Sequence, residues 1–427
     1  MSDIDIAITG TGLLTSAGAG VHRAWEALES GTPGFGDGAG LPWPVAAVDP
    51  RHAPWPDGAR WQNIRKYAGP GAHWGLAAAR AALARAGWED GAPAGDQAGD
   101  QAGDQAGRPD PTRGGTVVAV SSNGSDELAD ILPGLAVLAQ HDERPIAELL
   151  YDEVPDYAYI RSIPSQLGQF VALASGFEGS NLSVYGETGA GGLGALALAV
   201  RLIGSGELDR VLVVGVSPPL PLTTAVAFDR EERFGREAGP GRGPFDLDRA
   251  GTLVGQAAAA LLIENTAAAR ARGAAPLARL AACETLCAAD RASATAAVVD
   301  DVLARAGRPA DLWWAHGCGS VAMDLAECEA VAPRLGAAVP ATSSKGTLGN
   351  ALECSALVDA VLAVEALRRG RLPAVGLLEK PDPALGAVDF VVGGPREVPG
   401  AAAALVTALG HGRDAATAGA AVIVKGS

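Results

Sequence analysis

The sequence predicts an α/β protein built of stacked sheets and helices around a duplicated core. Three observations predict it. Short apolar runs such as Gly115-Thr116-Val117-Val118-Ala119-Val120 and Val211-Leu212-Val213-Val214 read as buried, parallel-type strands. Helical patterns alternate with these strands along the chain. After Glu264 the alternation begins again, with a strand near Leu277 to Cys283, a helix near Ala294 to Ala306 and the strand Leu312-Trp313-Trp314-Ala315. The halves are residues 1–265 and 266–427. The 427 residues are 48% hydrophobic, ample for a large core.

The elements follow in order. Ile4 to Gly12 is an apolar strand running into a glycine turn, and a helix follows from Val21 to Ser30. Gly10-Thr11-Gly12 lacks the third glycine and the later acid of a dinucleotide fingerprint, so no nucleotide cofactor is expected. Ala72 to Ala86 is a strong helical pattern ending at Gly87. Ala94-Gly95-Asp96-Gln97 then repeats three times. This tract carries no apolar side chain larger than alanine, and residues 94–107 are expected to be a disordered surface loop. Ser183 to Leu196 reads as strand, glycine-rich turn and helix. Such a turn aims a residue at a helix N-terminus, where partial positive charge lowers a thiol's pKa and stabilises an oxyanion. Its apex here holds glycine and alanine, Gly189-Ala190, with no nucleophile, and Thr188 lies one residue before it.

Composition excludes several classes. The net charge is −16, and no basic stripe of the kind that binds nucleic acid is visible. No apolar run approaches the 18 or more residues of a membrane span, and the N-terminus shows no signal pattern, so a cytoplasmic protein is expected. The five cysteines, Cys283, Cys287, Cys318, Cys328 and Cys354, are odd in number and suit buried thiols better than a disulfide framework. Cys283 and Cys287 have no matching second pair, so no metal site is expected.

Several segments carry a resemblance to one family. Ile8-Thr9-Gly10-Thr11-Gly12-Leu13-Leu14-Thr15, with Trp25-Glu26-Ala27-Leu28 behind it, is similar to the opening of the β-ketoacyl synthases of the thiolase superfamily. Pro244-Phe245-Asp246-Leu247-Asp248-Arg249-Ala250-Gly251 resembles their Pro-Phe-Asp-x-x-Arg-x-Gly segment, whose Asp and Arg brace loops over the active site. Gln256 stands where that family usually has Glu. The resemblance runs from Ile4 to Lys425, excluding the 94–107 tract. It implies the thiolase-like five-layer α-β-α-β-α duplicated fold.

That family combines a cysteine with two histidines. The turn reads roughly Ala-Cys-Thr-Ser-Gly, and the alignment puts Gly189 at the cysteine. Ala190-Gly191-Gly192-Leu193 looks more like the chain-length factors of type II polyketide synthases, whose Gln-Ala-Gly-Gly-Leu run replaces the cysteine by glutamine. Ala315-His316-Gly317 matches the context of the first histidine, and Asp324 fits the acid downstream of it. Ser343-Ser344-Lys345-Gly346-Thr347-Leu348-Gly349-Asn350 matches the second context, with Lys345 kept and Asn350 in place of histidine. Leu409-Gly410-His411-Gly412 stands where the family has its aromatic gating loop.

Gly cannot form a thioester and Asn takes no proton at neutral pH. The resemblance therefore implies a subunit inactive on its own. It would pair as a heterodimer with an active ketosynthase (α) subunit and set the length of a polyketide or polyene chain on an acyl carrier protein. An acidic carrier visiting this acidic chain needs a local basic patch or a partner subunit that supplies one; Arg65-Lys66 and Arg368-Arg369 are weak candidates, and solvated helix ends are the favoured reading of both pairs. The alternative is a stand-alone acyltransferase or decarboxylase with an altered site using His316 and Thr188. A homodimeric acyl-binding protein is a third reading.

Overall fold

The computed structural model describes residues 5–38, 41–88, 109–120, 126–163, 165–185, 188–220, 222–410 and 416–426. The 94–107 tract lies outside them. In the N-terminal half the main strands are β1 (Ile6–Thr15), β2 (Gly114–Val120), β3 (Asn181–Val184), β4 (Arg210–Ser217) and β5 (Ala257–Asn265). In the C-terminal half they are β6 (Ala278–Ala288), β7 (Leu312–Trp314), β8 (Pro340–Thr342), β9 (Ala403–Leu409) and β10 (Ala416–Lys425). They form one continuous sheet in the order β3-β2-β4-β5-β1-β6-β10-β9-β7-β8, with Asp389–Phe390 beyond β8.

The order is a repeat read outward from the centre. β3, β2 and β4 are parallel, and β5 runs antiparallel between β4 and β1. Likewise β8, β7 and β9 are parallel, and β10 runs antiparallel between β9 and β6. β1 and β6 join the halves through an antiparallel pairing of Ile6 with Leu280.

Seven helices supply the layers: α1 (Val21–Ser30), α2 (Ala72–Arg85), α3 (Gln166–Ser175), α4 (Gly191–Gly204), α5 (Arg291–Ala306), α6 (Val321–Leu335) and α7 (Leu352–Arg369). α2 and α3 cover the outer face of the first half, and α5 and α6 that of the second. α4 and α7 fill the space between the halves and join the largest apolar cluster. Helix, sheet, helix, sheet, helix is the five-layer thiolase-like arrangement. Every residue of α7 from Leu352 to Leu367 is buried. A helix enclosed on all sides has no polar face, so it shows no amphipathic stripe in the sequence.

The opening glycines are explained by packing. A Cβ on Gly10 or Gly12 would stand 2.1 or 2.0 Å from the carbonyl oxygens of Ala82 and Ala78. Only glycine lets α2 lie this close on β1.

Candidate active site

Residues 188–190 form a single 3₁₀ turn that leads straight into α4. A Cβ on Gly189 would lie 1.8 Å from the carbonyl oxygen of Leu409 and 2.7 Å from Cε1 of His316. Three segments singled out in the sequence therefore meet at one point: the glycine turn, the Ala-His-Gly loop and the end of β9. Leu409 is fully buried, and its side chain packs with Cys318 and Met323. Real Cβ atoms essentially never approach another heavy atom within 3.0 Å. Position 189 thus lacks a nucleophile and also lacks room for one. The backbone of Thr188 is in the turn, its side chain is outside the described residues, and so is His411.

His316 is buried, in the loop between β7 and α6. Two acids one helical turn apart on α6 hold this loop. Glu327 accepts from the backbone N–H groups of His316 (2.7 Å) and Gly317 (2.9 Å). Asp324 accepts from those of Cys318 (3.0 Å) and Gly319 (3.2 Å). Thr407 on β9 donates its hydroxyl to Glu327 at 2.5 Å and accepts from Trp313 Nε1 at 2.8 Å. Burial pushes the Glu327 carboxyl up to about 7, against the pull of the Gly317 amide and the Thr407 hydroxyl. Burial also raises Asp324, although three amides and Arg249 favour its charge.

The 244–251 segment lies over the same loop. Asp324 accepts from the Phe245 N–H at 3.0 Å and faces Arg249 Nε at 3.2 Å. Arg249 also donates to the Asp246 carbonyl (2.7 Å) and to Asp382 (2.8 Å). Asp246 accepts from the N–H groups of Glu379 and Lys380, both at 2.9 Å. The Phe245 ring stacks on Phe390 with centroids 4.4 Å apart and closes on Gly317. Asp246 and Arg249 therefore hold backbone in place, and neither is at the reacting position.

Lys345 is buried and paired with Asp359 of α7 at 2.7 Å. Asp359 also accepts from Trp314 Nε1 (3.0 Å) and Ser344 Oγ (2.5 Å). Asn350 is fully buried and caps α7. Its Oδ1 accepts from the Leu352 N–H (3.1 Å) and Ser355 Oγ (2.8 Å). These side chains anchor α7 to the loops around it.

Sequence reasoning missed Glu327, Asp359 and the buried Glu353 of α7. A signal for Asp359 was present, since it is a single acid in the apolar run Leu357-Val358-Asp359-Ala360-Val361. One expectation needs correction. Cys287 is exposed, while the other four thiols are buried. Its place near the end of β6, on a partly exposed stretch, keeps it out of the core. Arg368 and Arg369 lie in the last turn of α7, partly exposed and both paired with Glu365, with Arg369 over the Trp25 ring, as the solvated helix-end reading expects. Lys66 lies over the rings of Tyr67 and Tyr157. Among the described residues, no group of three or more His, Cys, Asp or Glu side chains is placed to hold a metal ion. No helix among them is long and apolar enough to cross a membrane.

The doubled parallel-antiparallel sheet around a buried helical layer, with its site where the glycine turn meets the His316 loop, defines a thiolase-like ketosynthase fold. The chain belongs to the beta-ketoacyl synthase family: the N-terminal domain of that family matches residues 3–269 and the C-terminal domain residues 277–378. It is 35% identical over 195 residues to the granaticin polyketide beta-ketoacyl synthase 2 of Streptomyces violaceoruber, covering 43% of this chain and 45% of that protein. The matched region spans about half the length of the first curated relatives. One similar solved structure is a type II acyl-carrier protein in complex with its ketosynthase bound to the hexaketide (TM-score 0.81, 19% identity, 100% of both chains covered). Another is the ishigamide ketosynthase/chain length factor (TM-score 0.79, 21% identity, 100% of both chains covered). At these identities the structures speak for the fold.

Proposed function

We propose that this chain is a chain-length-factor-like subunit, inactive alone, that pairs with an active ketosynthase and sets the length of a polyketide or polyene chain carried on acyl carrier protein. The observation that carries this reading is position 189. The turn that would present a cysteine offers glycine, and the Leu409 carbonyl fills the space of a Cβ. With Asn350 spent on capping α7, the site has neither the nucleophile nor the second histidine that decarboxylative condensation uses in this family. What survives is the bracing: the acids under the His316 loop, Asp246 with Arg249, and the Lys345–Asp359 pair. A fold kept in full around a closed reaction centre suits a protein retained for its surfaces.

The surface nearest the site supports a partner. Among the described residues β3 is the outermost strand of its half; it exposes Leu182, and Tyr185, the residue after it, is exposed as well. An unpaired edge with apolar side chains is a template for another chain. A partner seated there would lie beside the 189 turn, where its acyl tunnel can be completed by this chain. The carrier protein would then dock mainly on the partner, since this chain's charge of −16 opposes an acidic visitor.

The test has two arms. The purified chain alone is incubated with radiolabelled malonyl carrier protein, and no acyl adduct and no condensation are expected. Co-expression with a ketosynthase that keeps its cysteine and both histidines is expected to yield a one-to-one complex by native mass and a product of defined length. An adduct on the unpartnered chain, or failure to form the complex, overturns the proposal.

A further inference from the structure

The two halves of the sheet repeat, but two of their connections do not. In the second half β7 ends at Trp314 and α6 begins at Val321, and β9 ends at Leu409 and β10 begins at Ala416. The matching connections of the first half run from Val120 to Gln166 and from Ser217 to Ala257. These two insertions contain four further helices: Asp126–Leu138, Ile146–Glu153, Ala158–Arg161 and Leu222–Glu232. The first touches the other three, so the four form one surface layer. The layer rises from the end of the sheet where Ala119 pairs with Val184, the end that also carries the exposed Tyr185.

The layer has a finished inner side and an unfinished outer one. Leu135, Leu149, Ala158 and Ala225, one from each helix, are buried. Leu132, Val137, Ile146, Tyr151, Tyr159 and Leu222 are each at least half exposed, Tyr151 at 88%. Large apolar side chains this concentrated on the outside of a monomer mark a surface that another protein covers. Charge narrows the choice of protein. Between residues 141 and 160 stand Asp142, Glu143, Glu148, Asp152, Glu153 and Asp156, against Arg144. Arg144 pairs with Asp142, Asp152 and Glu153. Glu143, Glu148 and Asp156 are exposed and have no ion-pair partner among the described residues. Lys66 and Arg161 at the margin raise the cations to three, and the six acids still outnumber them.

A symmetric dimer sets one patch against its own copy. Two copies of this chain paired through the layer would press these carboxylates on one another, and like charges across an interface suppress a pairing. A face that is apolar at its centre and edged with Lys and Arg meets no such penalty. We propose that the four helices are the pairing surface for a face of that kind on the ketosynthase subunit, and that their unpaired carboxylates exclude a second copy of this chain. This deepens the proposed function and takes the identity of the partner from it. The same three acids then act with opposite signs on pairing with a ketosynthase and on pairing with self.

The test neutralises the three acids together, Glu143→Gln with Glu148→Gln and Asp156→Asn, in the full-length chain. All three side chains are exposed, so the unfolding midpoint is expected to stay that of the wild type. Sedimentation at about 0.1 M sodium chloride, where screening is moderate, is expected to show the wild type alone as a monomer. The triple variant is expected to self-associate at least about fivefold more tightly, and adding Tyr151→Ser to it is expected to reverse that gain. In titration with a ketosynthase that keeps its cysteine and both histidines, the triple variant is expected to bind about fivefold more weakly than the wild type. A wild-type homodimer as tight as the mixed complex overturns the inference. So does a triple variant that shifts both equilibria in one direction or shifts neither, and so does a gain in self-association that survives Tyr151→Ser. No mixed complex with the wild type overturns the proposed function, and the partner named here falls with it. The self-association arm needs no ketosynthase, so the two failures are told apart.

Discussion

Restoring the sulfur at residue 189 should not restore an active site. The perturbation is Gly189→Cys. Its Cβ would meet the Leu409 carbonyl oxygen at 1.8 Å, whereas real contacts begin near 3.0 Å, so that carbonyl must retreat by at least about 1.2 Å. β9 has little freedom to do so. Leu409 pairs with Ala418 on β10, the next N–H, that of Gly410, donates to the Thr417 carbonyl at 2.8 Å, and the Leu409 side chain is enclosed by Cys318 and Met323. Forcing an extra group into such a site costs about 1–3 kcal/mol. Urea unfolding reads this directly, with Gly189→Ala as the control that carries the same Cβ without sulfur. Both variants should lose stability by similar amounts. Iodoacetamide at pH 7, followed by peptide mass analysis, should label residue 189 of the cysteine variant far more slowly than the exposed Cys287. A Gly189→Cys chain with a wild-type unfolding midpoint and a fast-reacting cysteine would refute the reasoning, since it would show that the space is open.

Lys345→Met should cost about 3–5 kcal/mol in urea unfolding, because it strands the buried Asp359 without its cation, and a second change, Asp359→Leu, should recover part of the loss. Glu327 titrates higher in the folded chain than its ordinary 4.5, near 7, so the folded state holds the extra proton between these values. Its contribution is therefore full below pH 4.5 and falls as pH rises to 7, by about 3 kcal/mol. Stability measured across that window should decline more steeply for the wild type than for Glu327→Gln, and parallel curves would contradict the burial argument. Leu182→Asp on the exposed edge of β3 should abolish co-purification with a ketosynthase partner while leaving the unfolding midpoint of the free chain within about 0.5 kcal/mol.

Much of the fold was legible because it is written in local pattern. The helix expected over Val21 to Ser30 is found over the same residues, and the one over Ala72 to Ala86 ends one residue earlier, at Arg85. The restart after Glu264 is the second copy of the strand order. α7 escaped because a helix buried on every side has no periodic face to read. In the site, residue types at Gly189, His316, Lys345 and Asn350 could be read from their motifs, since each motif is a short run. The roles of Glu327 and Asp359 could not be assigned, since a carboxylate's role depends on which backbone and which cation it meets.

The amino-acid order alone determined that no thiol stands at residue 189, because a missing side chain is a property of one position and needs no neighbours. It also determined the alternation of strands and helices, which follows from where apolar side chains recur. Only the tertiary structure decided that the vacancy is filled. The Leu409 carbonyl belongs to a backbone identical in every residue, so nothing in its sequence marks it, and only the pairing of β9 with β10 sets it against Gly189.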